Sequence, residues 1–286
     1  MNDAMPTLTP AAATVDTSAA VVSFDNVRLG FDEGEILRGL TFHVDAGETK
    51  VLVGETGAGK TLALKLAAGL IHADAGSVRV LGQDLGILTE QQLYAFRRKI
   101  GFVFQEGALF DSLTVGENVA YRLREDQLEE DEIETRVREA LRFVELEHTI
   151  ESLPSELSGG MRRRVGIARA LVDRPAIVLY DSPTAGLDPI TSQIIMTMIL
   201  RLRDSQGVTS LLATHRLQDA FGLANYRFDA AANRVVRDSA AVEASAHGSS
   251  AHDTRFVVLR NGETYFEGEP RALAESSDAY LKQFLV

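Results

Sequence analysis

Gly54-Glu55-Thr56-Gly57-Ala58-Gly59-Lys60-Thr61 fits the pattern G-x-x-x-x-G-K-[ST] of phosphate-binding P-loops. The residues before it, Thr49 to Val53, predict a short buried strand, and Leu62 to Leu70 predicts a helix. A strand, a glycine loop and a helix start aim backbone N–H groups and the positive end of a helix dipole at one anion. The alternative is a chance glycine turn before a helix, and these flanks argue against it.

Composition limits the classes of protein that this chain can be. Its 286 residues carry a formal net charge of −12, which argues against a nonspecific nucleic-acid binder. Cysteine is absent, so disulfides and thiolate metal sites are excluded. We expect residues 1–20, rich in Ala, Thr and Pro, to form a disordered tail. With no run of 18 apolar residues and no signal-peptide pattern, we expect a cytoplasmic protein.

Polar residues follow several of the predicted buried strands. Asp181 ends the run Ala176 to Tyr180, and we predict that it holds Mg²⁺ together with Thr61. Gln105 ends another apolar run; it is either an edge residue or a ligand of Mg²⁺ or water. His215 follows Val208 to Ala213, and it is either a capping residue or a phosphate sensor.

Two further features point to anions or bases. Ser158-Gly159-Gly160 precedes a predicted helix, with Ser158 as its N-cap, and it predicts a second anion site. An arginine triplet, 162–164, follows; it fits a surface face or a lipid-headgroup patch, and its position favours phosphate recognition or docking. Phe31, in a predicted loop, either stacks on a nucleotide base or packs in the core.

The remaining pattern indicates an α/β fold. We expect strands at 21–28, 40–44, 76–82 and 100–105 and a loose Ala- and Ser-rich insertion at about 229–254. Asn261-Gly262 between two apolar runs predicts a hairpin, and a final helix is predicted from about Pro270 to Phe284.

With these motifs in this order, the chain resembles an ABC-transporter ATPase subunit over residues 21–286. The resemblance implies a P-loop NTPase (RecA-like) core with an N-terminal antiparallel β-subdomain, an inserted α-helical subdomain at about 90–160, and a C-terminal hairpin and helix at about 255–286. It implies ATP and Mg²⁺ as ligands, with residues 54–61 as Walker A. It also implies Phe31 on adenine, Gln105 as the Q-loop residue, Ser158, Gly159 and Gly160 as the signature, Asp181 as Walker B, Asp188 as the D-loop residue and His215 as the switch.

The resemblance also implies partners. Two copies would sandwich two nucleotides head to tail, and a membrane permease would dock on them. A finer resemblance is to the ATPases of Mla/MCE-type lipid transport systems. It is based on residues 105–115, 118–121, 154–161, 187–191 and 283–285, with Met161 where most relatives carry Gln. It implies an MCE-domain lipid-binding protein in the same complex and a place on the cytoplasmic face of the inner membrane. From the acidic charge we expect no nucleic acid partner.

One position departs from the family pattern. Ser182 stands after Asp181, where the family carries its catalytic glutamate. Because a hydroxyl cannot act as a carboxylate base near neutral pH, we predict slow hydrolysis with intact ATP binding, the attacking water being positioned by His215 and Gln105. Two alternatives stay open: a soluble nucleotide switch that barely hydrolyses ATP, and an ABC ATPase without a transport role.

Overall fold

The computed structural model describes residues 20–32, 34–238 and 254–283. Most of the predicted tail therefore lies outside the described residues. The strands are β1 Val22–Phe31, β2 Gly34–Val44, β3 Thr49–Gly54, β4 Ala75–Val80, β5 Gln83–Asp84, β6 Ile100–Val103, β7 Ile177–Asp181, β8 Thr209–Thr214, β9 Tyr226–Asp229, β10 Arg234–Arg237, β11 Thr254–Arg260 and β12 Glu263–Gly268. The helices are α1 Lys60–Ala67, α2 Glu90–Arg97, α3 Val115–Glu125, α4 Glu130–Phe143, α5 Gly159–Leu171, α6 Pro189–Gln206, α7 Leu217–Asn225, α8 Pro270–Ala274 and α9 Ala279–Gln283.

A six-stranded sheet forms the centre, in the order β12-β11-β3-β8-β7-β6. Its pairs are parallel except for the hairpin of β11 with β12. All residues of β3, β7 and β8 are buried, as expected for strands covered on both faces. The carboxyl ends of these three strands therefore meet at one edge, where ligands bind in open α/β sheets.

A second sheet of four antiparallel strands, in the order β2-β1-β4-β5, packs beside the first. Phe31 ends β1 and pairs with Gly34 of β2, so it lies at the end of a hairpin strand and not in the predicted loop. The strand β2 is also longer than the predicted 40–44. The α/β fold with a P-loop core and an N-terminal antiparallel sheet is confirmed.

Alternation along the central strands divides the apolar core in two. In β3, Val51 and Val53 face a cluster with α3 to α6, whereas Leu52 faces a cluster with α1, α2 and the antiparallel sheet. β11 follows the same alternation. The period of two residues therefore lets each strand pack against α3 to α6 on one side and against α1, α2 and the antiparallel sheet on the other.

The helices α2, α3 and α4 and the start of α5 lie within the region at 90–160. That range also includes β6, which pairs with β7 in the central sheet. The strand β6 ends at Val103, so Gln105 lies in the turn that follows, not at the end of the strand. Within the described residues no helix is both long and apolar enough to cross a bilayer.

Two predictions near the C-terminus are wrong in part. The range 229–254 includes β10, which pairs with β9, and the guanidinium of Arg203 donates to the Tyr226 carbonyl at 2.9 Å; residues 239–253 lie outside the described part. The final helix is two short helices, because Asp278 accepts hydrogen bonds from the N–H groups of Tyr280 and Leu281 and begins a new helix. Its predicted end, Phe284, lies outside the described residues.

The buried Lys50 provides a test of stability. Its Nζ lies 2.9 Å from a Glu48 carboxylate oxygen and 2.8 Å from one of Glu267, and its side chain is fully buried. Removing one partner of a buried ion pair costs about 3–5 kcal/mol. We expect Lys50→Ala to lower the free energy of unfolding by that amount in urea titrations, and the exposed Lys99→Ala to change it by less than about 0.5 kcal/mol. Similar losses in both variants would contradict this role.

Candidate functional site

The P-loop links the end of β3 to the start of α1. Gly57 and Gly59 have φ angles of +85° and +99°, in the left-handed region that favours glycine. A Cβ at Gly59 would lie 2.3 Å from Cδ2 of Leu37, so that position also needs the space that glycine leaves. The loop therefore turns tightly and delivers Lys60 and Thr61 to the first turn of the helix.

Lys60 is 9% exposed and is held by the loop that carries it. Its Nζ donates to the carbonyl oxygens of Gly54 at 2.7 Å and Glu55 at 2.8 Å. Burial lowers the pKa of this ammonium from its ordinary value, and the Asp181 carboxylate partly offsets that shift. The side chain is thus curled along the loop, with its cation close to where an anion would bind.

Thr61 and Asp181, which lie 120 residues apart in the sequence, come together here. The Thr61 hydroxyl donates to Oδ1 of Asp181 at 3.0 Å, and Asp181 is 7% exposed at the end of β7. A hydroxyl and a carboxylate are hard oxygen donors of the kind that Mg²⁺ uses, with phosphate oxygens and waters as its other ligands. These two side chains fit a Mg²⁺ site that a nucleotide would complete.

A cleft of about 550 Å³ lies beside the first half of the P-loop. Its walls include the loop residues 55–58, Glu35 and Ile36 of β2, and Tyr280 of α9. A neighbouring cleft of about 420 Å³ is lined by Phe31 and by the same Glu35 and Ile36. Phe31 is 55% exposed, so its ring face is accessible. A flat group on Phe31 and an anion on the P-loop can therefore belong to one elongated ligand.

Three predicted polar residues stand on loops near this edge of the sheet. Gln105 is exposed in the turn after β6, and His215 is exposed directly after β8. Ser182 directly follows Asp181 and has a φ angle of +47°. Its N–H donates to the Ala213 carbonyl at 2.8 Å, which ties this residue to the end of the neighbouring strand β8.

The Ser158 segment forms the start of α5. Ser158 is exposed, and its hydroxyl accepts a hydrogen bond from the Met161 N–H at 3.2 Å, as predicted for an N-cap. A Cβ on Gly160 would lie 2.3 Å from Cγ2 of Thr191, so this helix start packs closely on the first turn of α6. Asp188 caps α6 by accepting from Ile190 and Thr191, and the bonds to Thr191 lower the pKa of its carboxyl.

The arginine triplet does not form an exposed anion patch. Each side chain donates to backbone carbonyls of this chain: Arg162 to Leu157, Arg164 to Val144, and Arg163 to Ser182, Pro183 and Ala185. Arg163 is therefore not available to a phosphate or a lipid headgroup, whereas Arg162 and Arg164 are half-buried, and a docking role for those two stays a prediction. Sequence reasoning had no signal for Arg163, since neither spacing nor charge shows which carbonyls a buried guanidinium will reach.

Comparison with known proteins places the site in a family. The ABC transporter family model matches residues 37–185. The chain is 37% identical to a methionine import ATP-binding protein of Leifsonia xyli subsp. xyli, over 85% of this chain and 73% of that protein. It is 33% identical to an intermembrane phospholipid transport system ATP-binding protein of Haemophilus influenzae, over 89% of this chain and 95% of that protein. It is 31% identical to a spermidine/putrescine import ATP-binding protein of Photobacterium profundum, over 96% of this chain and 64% of that protein.

Some relatives are longer than the part that aligns: the chain covers 61% of the length of a methionine import protein of Rhizobium johnstonii. A solved structure of an ATP-binding cassette, dimeric and in a post-hydrolysis state with ADP and Pi, superimposes with a TM-score of 0.70 at 29% identity, covering 87% of this chain and 98% of that one. The matched region runs from β2 through the P-loop, the Ser158 segment and Asp181. The chain belongs to the ABC transporter family, as its ATP-binding ATPase domain.

Proposed function

We propose that this chain binds ATP and Mg²⁺ and hydrolyses ATP to energise the transport of a lipid, most simply a phospholipid, between bacterial membranes. The observation that carries the ATPase proposal is the contact between Thr61 and Asp181 beside the P-loop lysine. Lys60 would turn from its loop carbonyls to the β- and γ-phosphates, and residues 57–61 would donate their N–H groups. Bound Mg²⁺ would neutralise phosphate charge as it develops. His215 and Gln105 would hold the attacking water.

The Ser158 segment supports a site shared between two copies. Ser158 and Gly159 are exposed, and their N–H groups belong to the unpaired donors of the first turn of α5. We propose that this helix start binds the γ-phosphate of a nucleotide held by a second copy, so that a head-to-tail dimer encloses two nucleotides. The solved cassette that superimposes on this chain is itself dimeric.

Ser158→Arg tests the shared site. An arginine at the exposed helix start would place bulk at the proposed dimer interface and would leave the P-loop of its own chain undisturbed. We expect normal binding of a fluorescent ATP analogue and loss of the ATP-dependent dimer in light scattering. Ser158→Ala is the matched control, since it removes the same N-cap bond, worth about 1 kcal/mol, without the bulk. An ATP-dependent dimer that persists in Ser158→Arg would contradict the sandwich.

The loop after Gln105 is our candidate for contact with permease subunits. The rings of Phe110 and Tyr121 lie 4.8 Å apart and are each 45% exposed. The amide of the fully buried Asn118 fixes the same loop by bonding the N–H and carbonyl of Phe110 and the carbonyls of Leu113 and Thr114. This exposed aromatic pair, Phe110 on the loop and Tyr121 on α3, suits an apolar segment of a membrane protein.

The proposal of a lipid substrate rests on two observations. Residues 105–115 and 154–161 resemble the corresponding segments of Mla/MCE-type ATPases, and the phospholipid transport relative aligns over nearly its whole length. Methionine and polyamine import proteins are also similar, so these substrates are the competing candidates. We propose that the complex also contains an MCE-domain lipid-binding protein and that the ATPase lies on the cytoplasmic face of the inner membrane.

Purification from a mild-detergent membrane extract tests this proposal. We expect a multi-span permease and an MCE-domain protein to copurify, and phospholipid to stimulate ATP turnover of the complex. Stimulation by methionine or spermidine with a solute-binding partner would overturn the lipid assignment and leave the ATPase proposal intact. Recovery without any membrane protein would favour a role outside transport.

Ser182 also supports a second candidate function, that of a nucleotide-dependent switch. A chain that binds ATP tightly and hydrolyses it hardly at all would act as a nucleotide-dependent switch, closing as a dimer and staying closed. The observation that favours it is the serine at the position of the catalytic glutamate. Turnover of the assembled complex distinguishes the two functions: measurable, transport-linked hydrolysis supports the transporter, and its absence supports the switch.

A further inference from the structure

The segment 182–188, which joins β7 to α6, is fixed by side chains from both sides. It carries Ser182 at one end and Asp188 at the other. Within it, the N–H of Ala185 donates to the Ser182 carbonyl at 3.1 Å. That turn alone does not determine where the segment lies relative to the helices around it; two arginines do.

Arg163 of α5 holds one side. It is 5% exposed, and its guanidinium donates to the carbonyls of Ser182 at 3.0 Å, Pro183 at 2.9 Å and Ala185 at 3.2 Å. Burial lowers the pKa of this guanidinium, and the carboxylates of Glu106 and Asp181 act in the opposite direction. A planar fork of donors is thus matched to three carbonyls of one turn.

Arg216, next to His215, holds the other side. Its guanidinium donates to the Thr184 carbonyl at 3.2 Å and the Ser192 hydroxyl at 3.1 Å, and it lies 3.7 Å from the Asp219 carboxylate. The hydroxyl of the buried Thr184 donates to the same carboxylate. The position of Ser182 relative to His215 is therefore set by two opposed cations together with the backbone bond from Ser182 to Ala213.

We infer that Arg163 is a positioning residue: it links α5, the helix that begins at the signature residues, to residue 182 of its own chain, which would lie beside the attacking water. The inference rests on the proposed head-to-tail dimer. There, Ser158 would contact the nucleotide of the partner copy, whereas Ser182 would face the nucleotide of its own. Ser158 and Arg163 lie on one rigid helix about one and a half turns apart. Closure around one nucleotide would thus move the Ser182 position at the other.

The same helix also reaches the predicted permease loop. Arg169 of α5 donates to the carbonyls of Gly107 at 2.8 Å and Ala108 at 2.7 Å. Gly166 packs against Gly107 so closely that a Cβ there would lie 3.1 Å from its Cα. α5 is therefore in direct contact with the loops that follow Gln105 and Asp181, and Arg163 provides its polar link to the second of them.

Hydrogen exchange tests the link without relying on turnover. In Arg163→Met, which keeps an apolar stem and removes the donors, we expect the amides of Ala185 and Leu187 to exchange at least about tenfold faster than in the wild type. Amides of β3 should be unchanged. Arg164→Met is the matched control, because it removes a neighbouring guanidinium that bonds Val144 instead. Equal exchange of Ala185 and Leu187 in wild type and Arg163→Met would overturn the inference.

A double-mutant cycle in the assembled complex tests the role in hydrolysis. If Arg163 positions residue 182, the gain in turnover expected from Ser182→Glu should fall at least about tenfold in the Arg163→Met background and stay intact in the Arg164→Met background. Binding of a fluorescent ATP analogue should be the same in the Arg163→Met and Arg164→Met backgrounds as in the wild type. A full gain from Ser182→Glu in the Arg163→Met background would contradict a positioning role.

The outcomes separate this inference from the proposed function. If Ser182→Glu gives no gain in any background, the weakened-base proposal fails, and hydrogen exchange still decides the role of Arg163. If Arg163→Met does not fold, Arg163→Lys replaces it, since lysine keeps the charge and one donor group. We then expect intermediate exchange of Ala185 and Leu187; wild-type exchange in that variant would overturn the inference.

Discussion

Lys60→Ala is expected to abolish measurable nucleotide binding, with a loss of affinity of at least about 100-fold. The substitution removes the only cation that the P-loop motif carries, from a side chain that is 9% exposed and already held at the loop by two carbonyls. Without Lys60 the phosphates would lose a charge-assisted bond in a buried position. The neutral loop amides alone cannot replace that bond. Equilibrium titration with a fluorescent ATP analogue measures the effect.

Lys65→Ala is the matched control for this experiment. Lys65 lies on the same helix, α1, and its side chain is partly exposed. We expect this variant to bind the analogue as the wild type does. Thermal unfolding of both variants checks that the fold is kept. Wild-type affinity in a folded Lys60→Ala protein would exclude the P-loop as the principal nucleotide site.

Ser182→Glu is expected to raise ATP turnover of the assembled complex by at least about 100-fold, since a positioned general base contributes roughly 10²–10⁴-fold. Ser182 already has a φ angle of +47°, so a glutamate at this position would bear no more backbone strain than the serine does. The carboxylate would follow Asp181 directly and reach toward the water held by His215 and Gln105. Steady-state phosphate release measures the effect.

Ser182→Gln separates basicity from size. Glutamine has the same length as glutamate and no carboxylate, so we expect turnover to stay at the wild-type level. Unchanged turnover in Ser182→Glu, with dimer formation intact, would show that residue 182 is not a weakened base position. Equal acceleration by both substitutions would point to packing of the loop rather than to proton transfer.

Local sequence patterns predicted the central part of the fold well. The strand before the P-loop, its helix and the hairpin at Asn261-Gly262 follow from buried apolar runs, helix propensity and turn chemistry, which act between residues close in sequence. The same local rules failed where tertiary contacts decide. The strand β10 lies inside the range 229–254 that was predicted to be loose, yet it pairs with β9, whose Tyr226 carbonyl accepts a bond from Arg203. The last helix is broken at Asp278 by a cap bond that composition does not reveal.

The sequence by itself determined the P-loop core, the family, and a set of candidate residues whose roles stay predictions. Motifs suffice for this because a phosphate-binding loop needs particular residue types at fixed spacing. The sequence also predicted Thr61 beside Asp181, and the structure shows that contact. Only the tertiary structure decided that Phe31 lies at a strand end beside the P-loop cleft and that Arg163 holds the Ser182 loop. These contacts join residues far apart in the chain, and a buried donor finds its acceptors through packing, which spacing along the sequence does not encode.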